Sequence, residues 1–90
     1  MSEEENVKVV NSLGLHARAA VKLVLEANQF ESDILLSREN SGEVNAKSIM
    51  GVLTLAAGKG SELKVRCDGK DEKEALSAIR GLIESGFGEE

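Results

Sequence analysis

The sequence has 90 residues and a formal net charge of −5, with 41% hydrophobic, 30% charged and 2% aromatic residues. That length suits a single domain over 1–90 and excludes a multidomain enzyme. The acid excess argues against general binding of nucleic acid or insertion into anionic membranes, and two Phe without Trp or Tyr offer no platform for stacked bases.

Residues 1–5 are polar and are expected to fray. Val7 and Val9 alternate with Asn6 and Lys8, which predicts a strand over 6–10, ended by Asn11, Ser12 and Gly14. From Ala17 to Asn28 the period becomes helical. Ala17, Ala20, Val21, Val24 and Ala27 form the apolar stripe, with Arg18, Lys22 and Glu26 opposite. Phe30 to Arg38, around Ile34, Leu35 and Leu36, reads as a second strand. Glu39-Asn40-Ser41-Gly42 is a turn, and Glu43 to Lys47 is the hairpin partner. Ser48 is placed as the N-cap of a short helix carrying Ile49, Val52, Leu53 and Ala56, which Gly58-Lys59-Gly60-Ser61 ends. Glu62 to Cys67 alternates as a fourth strand, with Leu63, Val65 and Cys67 on one face. After the Asp68-Gly69 turn, Asp71 and Glu74 read as a capping pair for a last helix. Its stripe is Ala75, Leu76, Ile79, Leu82 and Ile83, and Gly86 stops it.

One antiparallel sheet with the helices stacked on one face buries all these stripes. The fold class is therefore α+β, a sandwich of order βαββαβα. So small a core leaves no large internal cavity, so any chemistry belongs on the surface, and a domain built around a small-ligand pocket fits poorly. Cys67, the single cysteine, cannot form an internal disulfide and reads as a small apolar strand residue. With no apolar N-terminal stretch and no run long enough to span a membrane, a reducing, cytoplasmic setting is expected.

His16 is the only histidine, and it stands just before the first periodic residue of the first helix. The amides of Ala17, Arg18 and Ala19 lack helical partners and point toward that position, and the helix dipole and the Arg18 guanidinium add positive charge there. Both disfavour the imidazolium, which leaves a neutral, nucleophilic ring beside an anion cradle, an arrangement suited to reversible attack on a phosphoryl group. A histidine at a helix start also serves simply as a cap or a solvated residue, and position alone does not separate the readings. One His and one Cys far apart in sequence make no metal site.

The segment Asn11-Ser12-Leu13-Gly14-Leu15-His16-Ala17-Arg18-Ala19-Ala20 resembles the active-site signature of the histidine phosphocarrier (HPr) family of the bacterial phosphotransferase system. Ala46-Lys47-Ser48-Ile49-Met50-Gly51-Val52-Leu53 resembles the family's second signature, and the likeness runs over residues 6–88. The resemblance implies an open-faced sandwich of four antiparallel strands with three helices on one face. It also implies a carrier, rather than a stand-alone enzyme, that needs no cofactor. His16 would accept a phosphoryl group on Nδ1 from phosphorylated enzyme I. It would pass the group to the A domain of a sugar transporter or to a regulatory acceptor, with Arg18 helping to bind the phosphate. Ser48 would be the target of a regulatory serine kinase and phosphorylase. Ile49, Met50 and Leu53 would be exposed partner contacts rather than core, and Lys22 and Lys47 a positive rim for acidic partners. A monomer is expected. The other reading is a non-catalytic regulatory module acting through Ser48 and the second helix.

The chain departs from the family pattern at Ala19, where most members carry proline. There the restored Ala19 N–H is expected to face His16, capping its ring or assisting a bound anion. Leu82-Ile83-Glu84-Ser85-Gly86-Phe87 looks more like the nitrogen-related branch. Lys47-Ser48-Ile49-Met50-Gly51 looks more like the sugar branch.

Overall fold

The computed structural model describes residues 2–39 and 41–89. Asn40, part of the predicted turn, lies outside the described residues, as do Met1 and Glu90 at the two ends. The chain runs β1 (Ser2–Lys8), α1 (Ala17–Ala27), β2 (Asp33–Arg38), β3 (Val44–Asn45), α2 (Ile49–Thr54), β4 (Glu62–Asp68) and α3 (Glu72–Glu84), then a 3-10 turn at Gly86–Gly88. The strands form one antiparallel sheet of order β1-β4-β2-β3. Val7, Ile34, Leu36, Leu63, Val65 and Cys67 all point to one face of it. The helices cover that face with Leu23, Val24, Val52, Ala75, Ile79 and Ile83, all buried. Each large apolar side chain so buried contributes roughly 1.5–3 kcal/mol.

The expected order stands, with local corrections. β1 starts at Ser2, not at Asn6, because β4 is long enough to pair with all of it, from Ser2↔Asp68 to Lys8↔Glu62. Two of the acidic residues expected to fray find cations: Glu5 pairs with Arg80 of α3 at 2.9 Å and Glu4 with Lys64 of β4 at 3.8 Å.

The buried stripe of α1 is Ala19, Ala20, Leu23, Val24 and Ala27, while Val21 is 40% exposed and Ala17 is exposed. Apolar residues circle this helix, so spacing alone left its direction open; the core took the large Leu23. β2 begins at Asp33 rather than Phe30, and β3 is cut to two residues. Asn45 ends β3 by accepting from the Lys47 and Ser48 amides, through Oδ1 and the main-chain carbonyl respectively.

In α2 only Val52 is buried, and Ala56 lies beyond the helix with φ 49°. The Arg38 guanidinium closes that end by donating to the carbonyls of Leu55 and Ala56 at 2.9 and 3.1 Å. Asp71 occupies the N-cap position of α3 but makes no side-chain cap bond. Its carboxylate instead accepts from the hydroxyl and amide of Ser32 and from the Glu31 amide, tying α3 to the start of β2. The Ser32 hydroxyl and then the Glu31 amide lower its pKa from 3.8 to about 2, against a smaller burial effect. Gly86 stops α3 as expected, with φ +68°.

Candidate active site

The loop before α1 is stapled in place. Gly14 has φ +65°, and a Cβ on it would stand 2.4 Å from the Ala57 carbonyl oxygen, to which the Leu15 amide donates at 2.8 Å. Only glycine tolerates both the backbone angle and that approach. The Gly14 amide donates to the Asn11 carbonyl at 3.1 Å, and Asn11 Nδ2 donates to the Gly14 carbonyl at 2.9 Å. With Leu15 buried behind it, residue 16 emerges in extended conformation, φ −76° and ψ 176°, as the N-cap of α1.

His16 caps the helix with its ring. Nδ1 accepts the Arg18 amide at 3.2 Å, and Nε2 faces Glu89 Oε2 at 2.5 Å. A carboxylate only accepts, so the ring proton sits on Nε2 and Nδ1 keeps its lone pair. The side chain is 26% exposed, so the ring lies at the surface. Glu89 also accepts Asn11 Nδ2 on Oε1 at 2.9 Å. Burial pushes the Glu89 carboxyl up, but the hydrogen bonds from His16 and Asn11, with the nearby Lys22 ammonium, outweigh it and hold the pKa low. Beside the ring, Ser12, Leu13, Arg18, Lys22, Gly88 and Glu89 line an open cleft of about 500 Å³.

The amide that meets the ring is that of Arg18, not that of Ala19, whose residue is fully buried. Lys22 Nζ donates to the Phe87 carbonyl and Lys47 Nζ to the Phe30 carbonyl, each at 2.7 Å, so both ammonium groups are partly engaged within the chain. Ser48 Oγ accepts the Gly51 amide at 3.1 Å as the cap of α2, which packs against α1. Ile49, Met50 and Leu53 are 42%, 74% and 37% exposed, so none of them is core. The surface also carries Leu13, Val21 and Leu25, which sequence reasoning did not assign to it.

Asn11 and Glu89 were missed as site residues. Asn11 reads as a strand breaker and Glu89 as a terminal charge, and no local pattern joins them to His16. A larger cleft, about 630 Å³, lies on the uncovered face of the sheet around Asn6, Ser37 and Lys64, away from His16. Among the described residues no group of three or more His, Cys, Asp or Glu is placed to hold a metal, and no helix is long and apolar enough to cross a membrane.

The sequence model of the family described as "PTS HPr component phosphorylation site" matches residues 3–85. The phosphocarrier protein HPr of Xylella fastidiosa (strain Temecula1) is 49% identical over 87 residues, 97% of each chain. The phosphocarrier protein NPr of Escherichia coli K12 is 37% identical over 90 residues, 100% of each. The crystal structure of HPr-C-His from Thermoanaerobacter tengcongensis superposes with a TM-score of 0.92 at 44% identity, over 98% of each chain.

Proposed function

Since this chain belongs to the HPr family of phosphotransferase-system phosphocarriers, we propose that it accepts a phosphoryl group on Nδ1 of His16 from phosphorylated enzyme I. It then passes the group to the A domain of a sugar transporter or to a regulatory acceptor. The observation that carries this is the His16 ring, with its Nδ1 lone pair turned to the Arg18 amide at the start of α1. In the transfer, that lone pair forms the new bond to phosphorus. The donor's bond to phosphorus breaks, and the donor keeps the electron pair. The amides of Ala17, Arg18 and Ala19 at the helix start, and the Arg18 guanidinium, then face phosphoryl oxygens. Water still reaches the site, so the phosphohistidine is held without becoming too stable to give its group away.

The partner docks over Ile49, Met50 and Leu53, whose exposure beside α1 supplies the apolar centre of a transient interface. Lys22 and Lys47 lie at its rim, shared with the carbonyls they already hold. Phosphorylation of Ser48 by a serine kinase would place about −1.5 to −2 charges beside this patch. An acidic partner surface is then repelled, while the fold changes little. The chain acts as a cytoplasmic monomer. Identity is higher to the HPr relative than to NPr, while the NPr match spans both chains end to end, so either route is open to the carrier.

The test is incubation with enzyme I and phosphoenolpyruvate, followed by mapping of acid-labile, base-stable phosphate. Label on His16 supports the carrier. An unlabelled chain that still binds phosphotransferase proteins through α2 refutes it in favour of a regulatory module. Transfer from labelled protein to sugar-branch or nitrogen-branch A domains then decides the route.

A further inference from the structure

The C-terminal tail is built into the site. Gly86 turns the chain after α3, Phe87 is 1% exposed, and its carbonyl accepts Lys22 Nζ at 2.7 Å. This brings the Glu89 carboxylate between two donors, Asn11 Nδ2 on one oxygen and His16 Nε2 on the other. Asn11 is itself 1% exposed, and the same amide nitrogen holds the Gly14 carbonyl. One buried side chain thus fixes both the loop that delivers His16 and the carboxylate that meets its ring.

We propose that Glu89, held by Asn11, is a positioning residue for phosphoryl transfer: it keeps the ring proton on Nε2, leaves the Nδ1 lone pair for attack, and faces the cation that attack creates. This deepens the carrier reading and rests on it. When Nδ1 forms its bond to phosphorus and the donor leaves with its electron pair, Nε2 keeps its proton and the ring becomes positive. The charged groups around it are Arg18 and Lys22 of α1, which oppose a ring cation, and Glu89 of the tail, which favours it. An Asp or Glu behind a nucleophilic or ligating imidazole acts in this way in unrelated sites, by fixing tautomer and orientation.

Glu89→Gln tests it. Glutamine offers one acceptor oxygen to two donors, so either Asn11 or the ring loses its partner. Long-range ¹H–¹⁵N spectra of His16 should show the Nε2–H tautomer alone in the parent, and a mixture with Nδ1–H in Glu89→Gln. Phosphotransfer from enzyme I should slow by about tenfold, the lower end of what such outer partners contribute. Glu89→Asp keeps both oxygens and should recover most of the rate and the single tautomer. A Glu89→Gln ring that stays Nε2–H with the rate within about twofold of the parent overturns the inference, and so does a Glu89→Asp variant no better than Glu89→Gln. A parent protein that takes no label from enzyme I overturns the carrier reading itself, and this is seen before any variant is compared.

Discussion

Gly14→Ala probes the joint on which the site is mounted. The backbone there has φ +65°, a left-handed angle that costs an alanine about 1–2 kcal/mol. The new Cβ would lie 2.4 Å from the Ala57 carbonyl oxygen and 2.7 Å from the Gly58 Cα. Both are backbone atoms, so no rotamer change relieves the contact. The 57–58 segment must move, which breaks the Leu15–Ala57 hydrogen bond and removes about 1 kcal/mol more. A total of about 2–3 kcal/mol corresponds to a fall in Tm of about 10–20 °C for a domain of this size. Urea denaturation at an unchanged m-value reads the stability loss. The rate of His16 labelling by enzyme I reads the displacement of the ring and should fall with it. Gly81→Ala serves as the control. Gly81 sits in α3 with open space for 4 Å around the point where a Cβ would stand, so the alanine should gain about 0.5–1 kcal/mol. A Gly14→Ala protein losing less than about 0.5 kcal/mol, with parental labelling, would refute the view that this approach sets the site.

Asp71 gives a pH signature. Its pKa is lowered in the fold from 3.8 to about 2, so its contribution is complete above about pH 4 and disappears as the pH falls through about 2. The Tm deficit of Asp71→Asn relative to the parent should therefore be largest at neutral pH and narrow on acidification; a deficit constant with pH contradicts the assignment. Cys67 is buried, and burial, followed by the charges of Glu72 and Asp71, pushes its thiol up to about 11. It should resist a thiol reagent at pH 8 in the native protein and react fully in denaturant. Met50→Glu should weaken enzyme I binding at low salt while changing stability by less than about 0.5 kcal/mol, since Met50 is 74% exposed; parental affinity would move the docking site elsewhere.

The element order was legible because the chain alternates where it forms strands and repeats every three or four residues where it forms helices. Leu63, Val65 and Cys67 are the plainest case: all three are fully buried on one face of β4. Where apolar residues circle a helix the pattern loses direction. Val21 and Leu23 of α1 both fit a helical stripe, and only the packing against the sheet decided between them. Asp71 had the spacing of a helix cap, yet the Ser32 and Glu31 donors hold its carboxylate, a contact across 39 and 40 residues that no local rule contains. The same limit hid part of the site. His16 and Arg18 are close in sequence and were legible as a helix start. Glu89 reaches Nε2 across 73 residues, because Gly86 and Phe87 fold the tail back. A charge that reads as a solvated end thus faces the ring nitrogen opposite Nδ1.

Ala19 shows how the site divides its labour among amides. The first helical hydrogen bond of α1 runs from the Ala20 amide to the His16 carbonyl at 2.9 Å, so a proline at position 19 removes no bond from that ladder. Helical φ is close to the angle a proline ring enforces, so Ala19→Pro should raise stability by about 0.4–1 kcal/mol through the unfolded chain. The ring is capped by the Arg18 amide, so its Nε2–H tautomer should survive the change. Phosphotransfer then isolates the one task left to the Ala19 amide, donation to a bound phosphoryl oxygen. A slower Ala19→Pro protein with parental tautomer and raised Tm assigns it that task; an unchanged rate leaves the phosphate to the amides of Ala17 and Arg18 and the Arg18 guanidinium. A loss of stability would instead mean that the fully buried space around Ala19 cannot take the ring, and that the alanine is there for packing.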